Sequence, residues 1–83
     1  MIRNRIRPID SVETLIFDEG KKIDTYQGSG YHTISEVINN AYDGSDRTPK
    51  SIVDYVFEVR NLDTGTQARY RVDAGGETRL IPE

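Results

Sequence analysis

The strongest constraint on the fold lies in residues 52–60 and 66–73, two runs that alternate apolar and polar side chains on either side of Leu62-Asp63-Thr64-Gly65. A period of two sustained over that length is a strand pattern, and two such runs around a turn make a β-hairpin. Val53, Tyr55, Phe57 and Val59 share one face with Ala68, Tyr70 and Val72, while Asp54, Val56, Glu58, Arg60, Gln67, Arg69 and Arg71 share the other. A loop of residues 62–65, with Gly65 at positive φ, sets Val59 against Ala68, Glu58 against Arg69, Phe57 against Tyr70, Val56 against Arg71 and Tyr55 against Val72. Shortening the loop by one residue would put Val59 opposite Arg69 and turn one strand's apolar side to water, which burial forbids. Glu58 and Arg69 then form a cross-strand pair of about 0.2–1 kcal/mol.

Residues 74–77, Ala-Gly-Gly-Glu, turn the chain into a short strand at residues 78–81 that Pro82 ends. A loop of residues 74–76 brings Leu80 to the Tyr70 side and Arg79 to the Arg71 side, whereas a Gly75-Gly76 loop turns Ile81 inward. The pattern leaves both open.

The clearest helix begins at Thr33. Its hydroxyl can accept from the Glu36 amide while the Glu36 carboxylate reaches back, a capping box. Ile34, Val37, Ile38, Ala41 and Tyr42 then recur at i, i+3, i+4, i+7 and i+8 as one apolar stripe, and Gly44 supplies a left-handed stop. A helix this short is stable only against a sheet. Residues 11–17 fit both helical spacing and a strand-forming composition; the Asp18-Glu19-Gly20-Lys21 turn favours a strand, with residues 23–26 returning beside it and Ile16 opposing Ile23. Residues 1–7 alternate Ile2, Asn4 and Ile6 with Arg3, Arg5 and Arg7 before Pro8 and read as a short edge strand or arm. The expectation is a single α+β domain over residues 1–83, with one helix on one face of a curved antiparallel sheet of four to six strands ending in a hairpin or meander.

A chain of 83 residues buries only about 60% of its unfolded surface, which leaves one thin core and little room for a deep cleft. It contains no cysteine, so disulfides and thiolate metal sites are excluded, and with a single histidine no cofactor or metal is expected. No apolar run approaches a bilayer span and the first residues lack a signal-peptide core, so the chain reads as a cytoplasmic protein. The net charge of −3 argues against a dedicated nucleic-acid binder, yet basic residues collect at the two ends while the charges within residues 10–46 are mostly acidic.

The residues that suggest chemistry have stronger local explanations. Gly28-Ser29-Gly30 before the helix matches neither a Walker loop nor a dinucleotide fingerprint. His32 beside Tyr31, Tyr26 and Asp24 would need a pocket to act as a base. Asp43-Gly44-Ser45-Asp46 lacks the ligand alternation of a calcium loop. Periodicity assigns Tyr42, Tyr55, Phe57 and Tyr70 to core faces and leaves Tyr26 and Tyr31 free beside the glycines, an arrangement suited to protein contact. Arg60, Arg69 and Arg71 mark the outer sheet face, joined by Arg79 if residues 74–76 form the last loop, and alternate positions there repeat at about 6.6–7 Å.

These features point to a non-enzymatic module that binds another protein through Arg3, Arg5, Arg7, Tyr26, Tyr31, Arg60, Arg69, Arg71 and Arg79. A compact acidic domain of this kind would suit an inhibitor from a phage or mobile element that occludes a host machine. The alternative class is a nucleic-acid-binding module in which the arginines contact phosphates. An unpaired first or last strand also offers a route to a homodimer.

Overall fold

The computed structural model describes residues 6–82. The elements run β1 (Val12–Asp18), β2 (Lys21–Gly28), α1 (Ile34–Gly44), a single 3₁₀ turn (Ile52–Asp54), β3 (Val56–Asn61), β4 (Gln67–Val72) and β5 (Thr78–Ile81). The five strands form one antiparallel sheet in the order β2-β1-β3-β4-β5, with α1 packed against β1, β2 and β3 on one face. The architecture is the expected α+β arrangement, and β3-β4-β5 is a meander.

The β3–β4 register agrees with the alternation argument: Phe57 faces Tyr70, Glu58 faces Arg69 and Val59 faces Ala68. Gly65 at φ 78° makes the turn, and Asn61 holds it by accepting from the amides of Asp63 and Thr64 at 3.0 and 3.2 Å. The Asn61 side-chain nitrogen donates to Asp10 Oδ2 at 2.9 Å, and the Ser11 amide donates to Asp63 Oδ2 at 2.7 Å, so the turn is tied to the chain entering β1. The Asn61 hydrogen bond, helped by Arg7, holds the Asp10 carboxyl below its ordinary range although the residue is buried.

The strand does not extend back to residue 52. Tyr55 is fully buried, and its hydroxyl accepts the Lys50 amide at 2.8 Å, while the Tyr42 hydroxyl donates to the Lys50 carbonyl at 2.6 Å. Satisfying both tyrosine hydroxyls pulls residues 50–55 into a tight turn in place of the expected Tyr55–Val72 position, and the β3–β4 pairing runs only from Phe57–Tyr70 to Arg60–Gln67, without the expected Val56–Arg71 pair. The second hairpin also departs from expectation. Glu19 and Gly20 both have positive φ, 51° and 82°, giving the two-residue turn that matches strand twist. The register then breaks: Ile16 pairs with Asp24 and Phe17 with Lys22, so Ile23 is the bulged residue and not the partner of Ile16.

Helix α1 starts with the capping box, Thr33 Oγ1 accepting the Glu36 amide at 3.1 Å and Glu36 Oε1 accepting the Thr33 amide at 3.3 Å. Val37, Ile38 and Ala41 are buried. Its end differs from the expected left-handed stop: Gly44 lies within the helix, and Ser45 after it is extended at φ −90°. Glycine is required for space, since a Cβ at Gly44 would lie 2.6 Å from Tyr26 Cζ and 2.7 Å from its hydroxyl. The core between helix and sheet is built on Ile16, Ile38, Tyr55 and Phe57, each without exposed surface. Each contributes roughly 1.5–3 kcal/mol of burial.

The proposed strand at residues 1–7 lies mostly outside the described residues. Arg7 itself is in a turn, its carbonyl accepting the Asp10 amide at 2.9 Å and its amide donating to Asp10 Oδ2 at 3.0 Å. Pro8 and this Asp10 cap end any ladder there.

Candidate functional site on the open sheet face

Alternation along the strands fixes which side chains lie opposite the helix. Following the pairing across the sheet gives one row of Thr25, Leu15, Glu58, Arg69 and Ile81, a second of Gln27, Glu13, Arg60 and Gln67, and a third containing Lys22, Phe17 and Val56, with Arg71 and Arg79 paired beside them. No second layer covers this face among the described residues. It is nevertheless not simply polar: Leu15 is only 7% exposed, and Phe17, Val56 and Ile81 are half-buried. The sequence pattern suggested Leu15 for the strand but gave no reason to put Leu15 and Phe17 beside Val56 on the open side.

Arginines stand beside this apolar floor, and Arg69 covers part of it. Arg60 Nε donates to Glu58 Oε2 at 2.8 Å and Arg69 Nε to Glu58 Oε1 at 2.9 Å, so each carboxylate oxygen takes one guanidinium. Arg60 also lies 3.7 Å from Glu13, and the Arg69 guanidinium sits 4.7 Å above the Phe17 ring. Flanked by these two side chains, Glu58 is buried on an uncovered face. Burial pushes the Glu58 carboxyl up, and the hydrogen bonds from Arg60 and Arg69 outweigh it, leaving Glu58 below the usual carboxylate range. Beside this cluster is a hollow of about 350 Å³ lined by Glu58, Gln67, Ala68, Arg69, Ile81 and Pro82. It lies where β5 stops at Pro82 and β4 continues.

Arg79 lies opposite Arg71 and donates to Asp73 Oδ2 at 2.8 Å. That bond is the main reason the Asp73 carboxyl is held below and the Arg79 guanidinium above its ordinary value. Arg71 and Lys22 are exposed and hold no ion pair among the described residues. The structure therefore brings Arg60, Arg69 and Arg71 onto one face, as the alternation anticipates, and the Arg71–Arg79 pairing, which the sequence leaves open, adds Arg79 to it. Arg7 lies elsewhere, tied to Asp10 at 3.1 Å, and Arg3 and Arg5 lie outside the described residues.

Tyr26 and Tyr31 do not form the free pair expected from the sequence. Tyr31 is buried and donates to Asn40 Oδ1 at 2.7 Å, its hydroxyl pushed above the ordinary tyrosine range by burial. Tyr26 is half-buried against Gly44 on the helix side of the sheet. Tyrosines on either side of a glycine loop look exposed in sequence, while the helix returning over β2 covers them. The small side of Gly28 has the same origin, since a Cβ there would stand 2.5 Å from the Tyr31 hydroxyl.

His32 is exposed, its amide donates to Glu36 Oε1 at 2.7 Å, and its ring lies 3.9 Å from that carboxylate. Among the described residues no group of three or more His, Cys, Asp or Glu side chains is placed to hold a metal ion, and no helix is long and apolar enough to cross a membrane. No protein-family model, curated protein or solved structure matches this chain.

Proposed function

We propose that the protein is a non-enzymatic binding module whose open sheet face docks another protein. The observation that carries this reading is the pair of arginines sharing Glu58, one of them stacked over Phe17, on a face that also bears Leu15, Val56 and Ile81 and that no second layer covers among the described residues. Such a surface offers apolar contact area beside guanidinium groups already engaged by carboxylates, with Lys22 and Arg71 holding no ion pair among the described residues. Phe17 and Arg69 lie at its centre, where an anchoring side chain from the partner would gain most. A module of this size works by occupying a surface, and occlusion of a larger assembly is the mode of action that follows from it.

The same geometry weighs against phosphate-backbone binding. Arg60 and Arg69 are neutralised by Glu58 and Glu13, Arg79 is held by Asp73, and the chain carries a net charge of −3. Only Lys22 and Arg71 on this face are unpaired among the described residues, too few for a strong nucleic-acid footprint. The test is affinity capture from the source-cell extract with the natural chain and a Lys22→Glu, Arg71→Glu variant, alongside gel retardation of mixed DNA and RNA at low salt. The proposal expects a protein partner lost in the charge-reversed variant and no retardation. Retention of every partner by a folded variant, or retardation that weakens steeply with salt, refutes it.

A further inference from the structure

The two edges of the sheet are treated differently by the sequence. β2 begins with Lys21 and Lys22 and is bulged at Ile23, and Asp24 is occupied by the Ser45 hydroxyl and the Thr25 amide. These are the usual protections of an edge strand. β5 is short and ends at Pro82, but it has neither the lysines nor the bulge of β2: its register with β4 is unbroken from Val72–Thr78 to Arg69–Ile81, its one charge is held by Asp73, and Leu80 is 55% exposed.

We propose that β5 is a self-pairing strand, and that two copies of this chain join edge to edge across a two-fold axis through Leu80. The backbone pattern sets which groups are available. The Asp73 amide bonds the Glu77 carbonyl at 2.9 Å, and the Asn61 amide bonds the Thr66 carbonyl at 2.9 Å. Strict alternation from either point directs the amides and carbonyls of Arg79 and Ile81 toward β4. Those of Thr78 and Leu80 therefore point away from the sheet, at the edge, with no partner among the described residues.

A two-fold axis perpendicular to a sheet preserves the face of every residue, so only residues of like parity can stand opposite one another. Two registers place the axis centrally on this strand. With Arg79 on the axis, Arg79 meets its own copy, and Arg71 on each side extends the row to a line of like charges, which is destabilising. With Leu80 on the axis, the two Leu80 amides and carbonyls exchange hydrogen bonds, and the exposed Leu80 side chains cover one another on the helix side. Arg79 then faces the second copy's Ile81 on the open side, and Thr78 donates to the second copy's Pro82 carbonyl. Charge and apolar contact both select the Leu80 register. The joint continues the open face across both copies, with Arg71 and Arg79 of each flanking the seam.

The contact is a single short edge, so the dimer is of the weak, concentration-dependent kind. The absence of cysteine from the chain gives a direct test. In the Leu80 register the two Leu80 Cα atoms stand about 5.5 Å apart, within disulfide range, whereas two Arg79 Cα atoms are roughly 8 Å apart and outside it. Single Leu80→Cys, Arg79→Cys and Thr25→Cys variants are equilibrated in a glutathione buffer at high protein concentration. The proposal expects the Leu80→Cys chain to form disulfide dimer at least about tenfold more than either other variant. Faster crosslinking of Arg79→Cys, or equal crosslinking of Thr25→Cys on the β2 edge, overturns it. Sedimentation supplies an independent reading: the natural chain self-associates as concentration rises and folded Leu80→Lys does not. A natural chain that remains monomeric at millimolar concentration, or a Leu80→Lys chain that associates equally well, also overturns it.

Discussion

Replacing Gly44 by alanine separates two explanations of why the helix ends in glycine. In a left-handed cap, alanine is strained whatever surrounds it. Here Gly44 has helical neighbours and an extended Ser45 after it, and the obstacle is the Tyr26 ring, 2.6 Å from the position of the added Cβ at Cζ. Ordinary carbon contacts are at about 3.5–4.0 Å, so the ring must move by roughly 1 Å, an overpacking cost of about 1–3 kcal/mol. Alanine in a helix regains about 1 kcal/mol over glycine. The net expectation for Gly44→Ala is about 1 kcal/mol of destabilisation, or a fall of about 4–8 °C in Tm for a domain of this size. In a Tyr26→Ala background the obstacle is gone, and the same substitution becomes stabilising by about 1 kcal/mol. Tyr26→Ala itself costs about 2 kcal/mol because the ring is half-buried, within the roughly 4–12 kcal/mol available to 83 residues. Urea unfolding of the four chains gives a coupling of about 2 kcal/mol between the sites. Destabilisation by the same amount in both backgrounds would refute the packing account and restore a conformational one.

Gly28→Ala presses on the Tyr31 hydroxyl and breaks its bond to Asn40; the expected loss is about 1–2 kcal/mol, with the Tyr31 titration, followed by ultraviolet absorbance, moving back toward the ordinary value from its raised position. An unchanged titration in a folded variant contradicts that. Asp10, Glu36, Glu58 and Asp73 all have carboxyls held below their ordinary range in the fold, so the stability they contribute is complete above their unfolded values near 4 and is lost as pH falls through the lower folded values. Urea midpoints should be flat from about pH 7 to pH 5 and drop below about pH 4; stability that rises on acidification would contradict the sign.

Much of the fold was legible because local and global signals agree. The 62–65 turn with Gly65 and the alternation on either side permit one register, and Thr33 with Glu36 marks the helix start whatever the sheet does. Ile52 and Val53 carried the same alternation without forming a strand, because the hydroxyls of Tyr42 and Tyr55 bind the Lys50 backbone and that constraint is long-range. The Ile23 bulge is likewise invisible to a pattern that counts only apolar residues. For the site, alternation located the arginines correctly but not the carboxylate beneath them: Glu58 reads as one half of a single cross-strand pair, whereas Arg60, two residues along its own strand, folds back to share it. The apolar floor was hidden because Leu15 and Phe17 adjoin Ile16 in a nearly continuous apolar run, in which period cannot say which side is covered.

The central claim is that the open sheet face, and not the helix side, meets a protein. A photo-crosslinking amino acid placed in living source cells at position 71 on that face, and separately at the exposed position 39 on the helix, tests it most directly. The account predicts protein adducts from position 71 and none from position 39. Adducts confined to position 39, or nucleic acid captured at position 71, would contradict it.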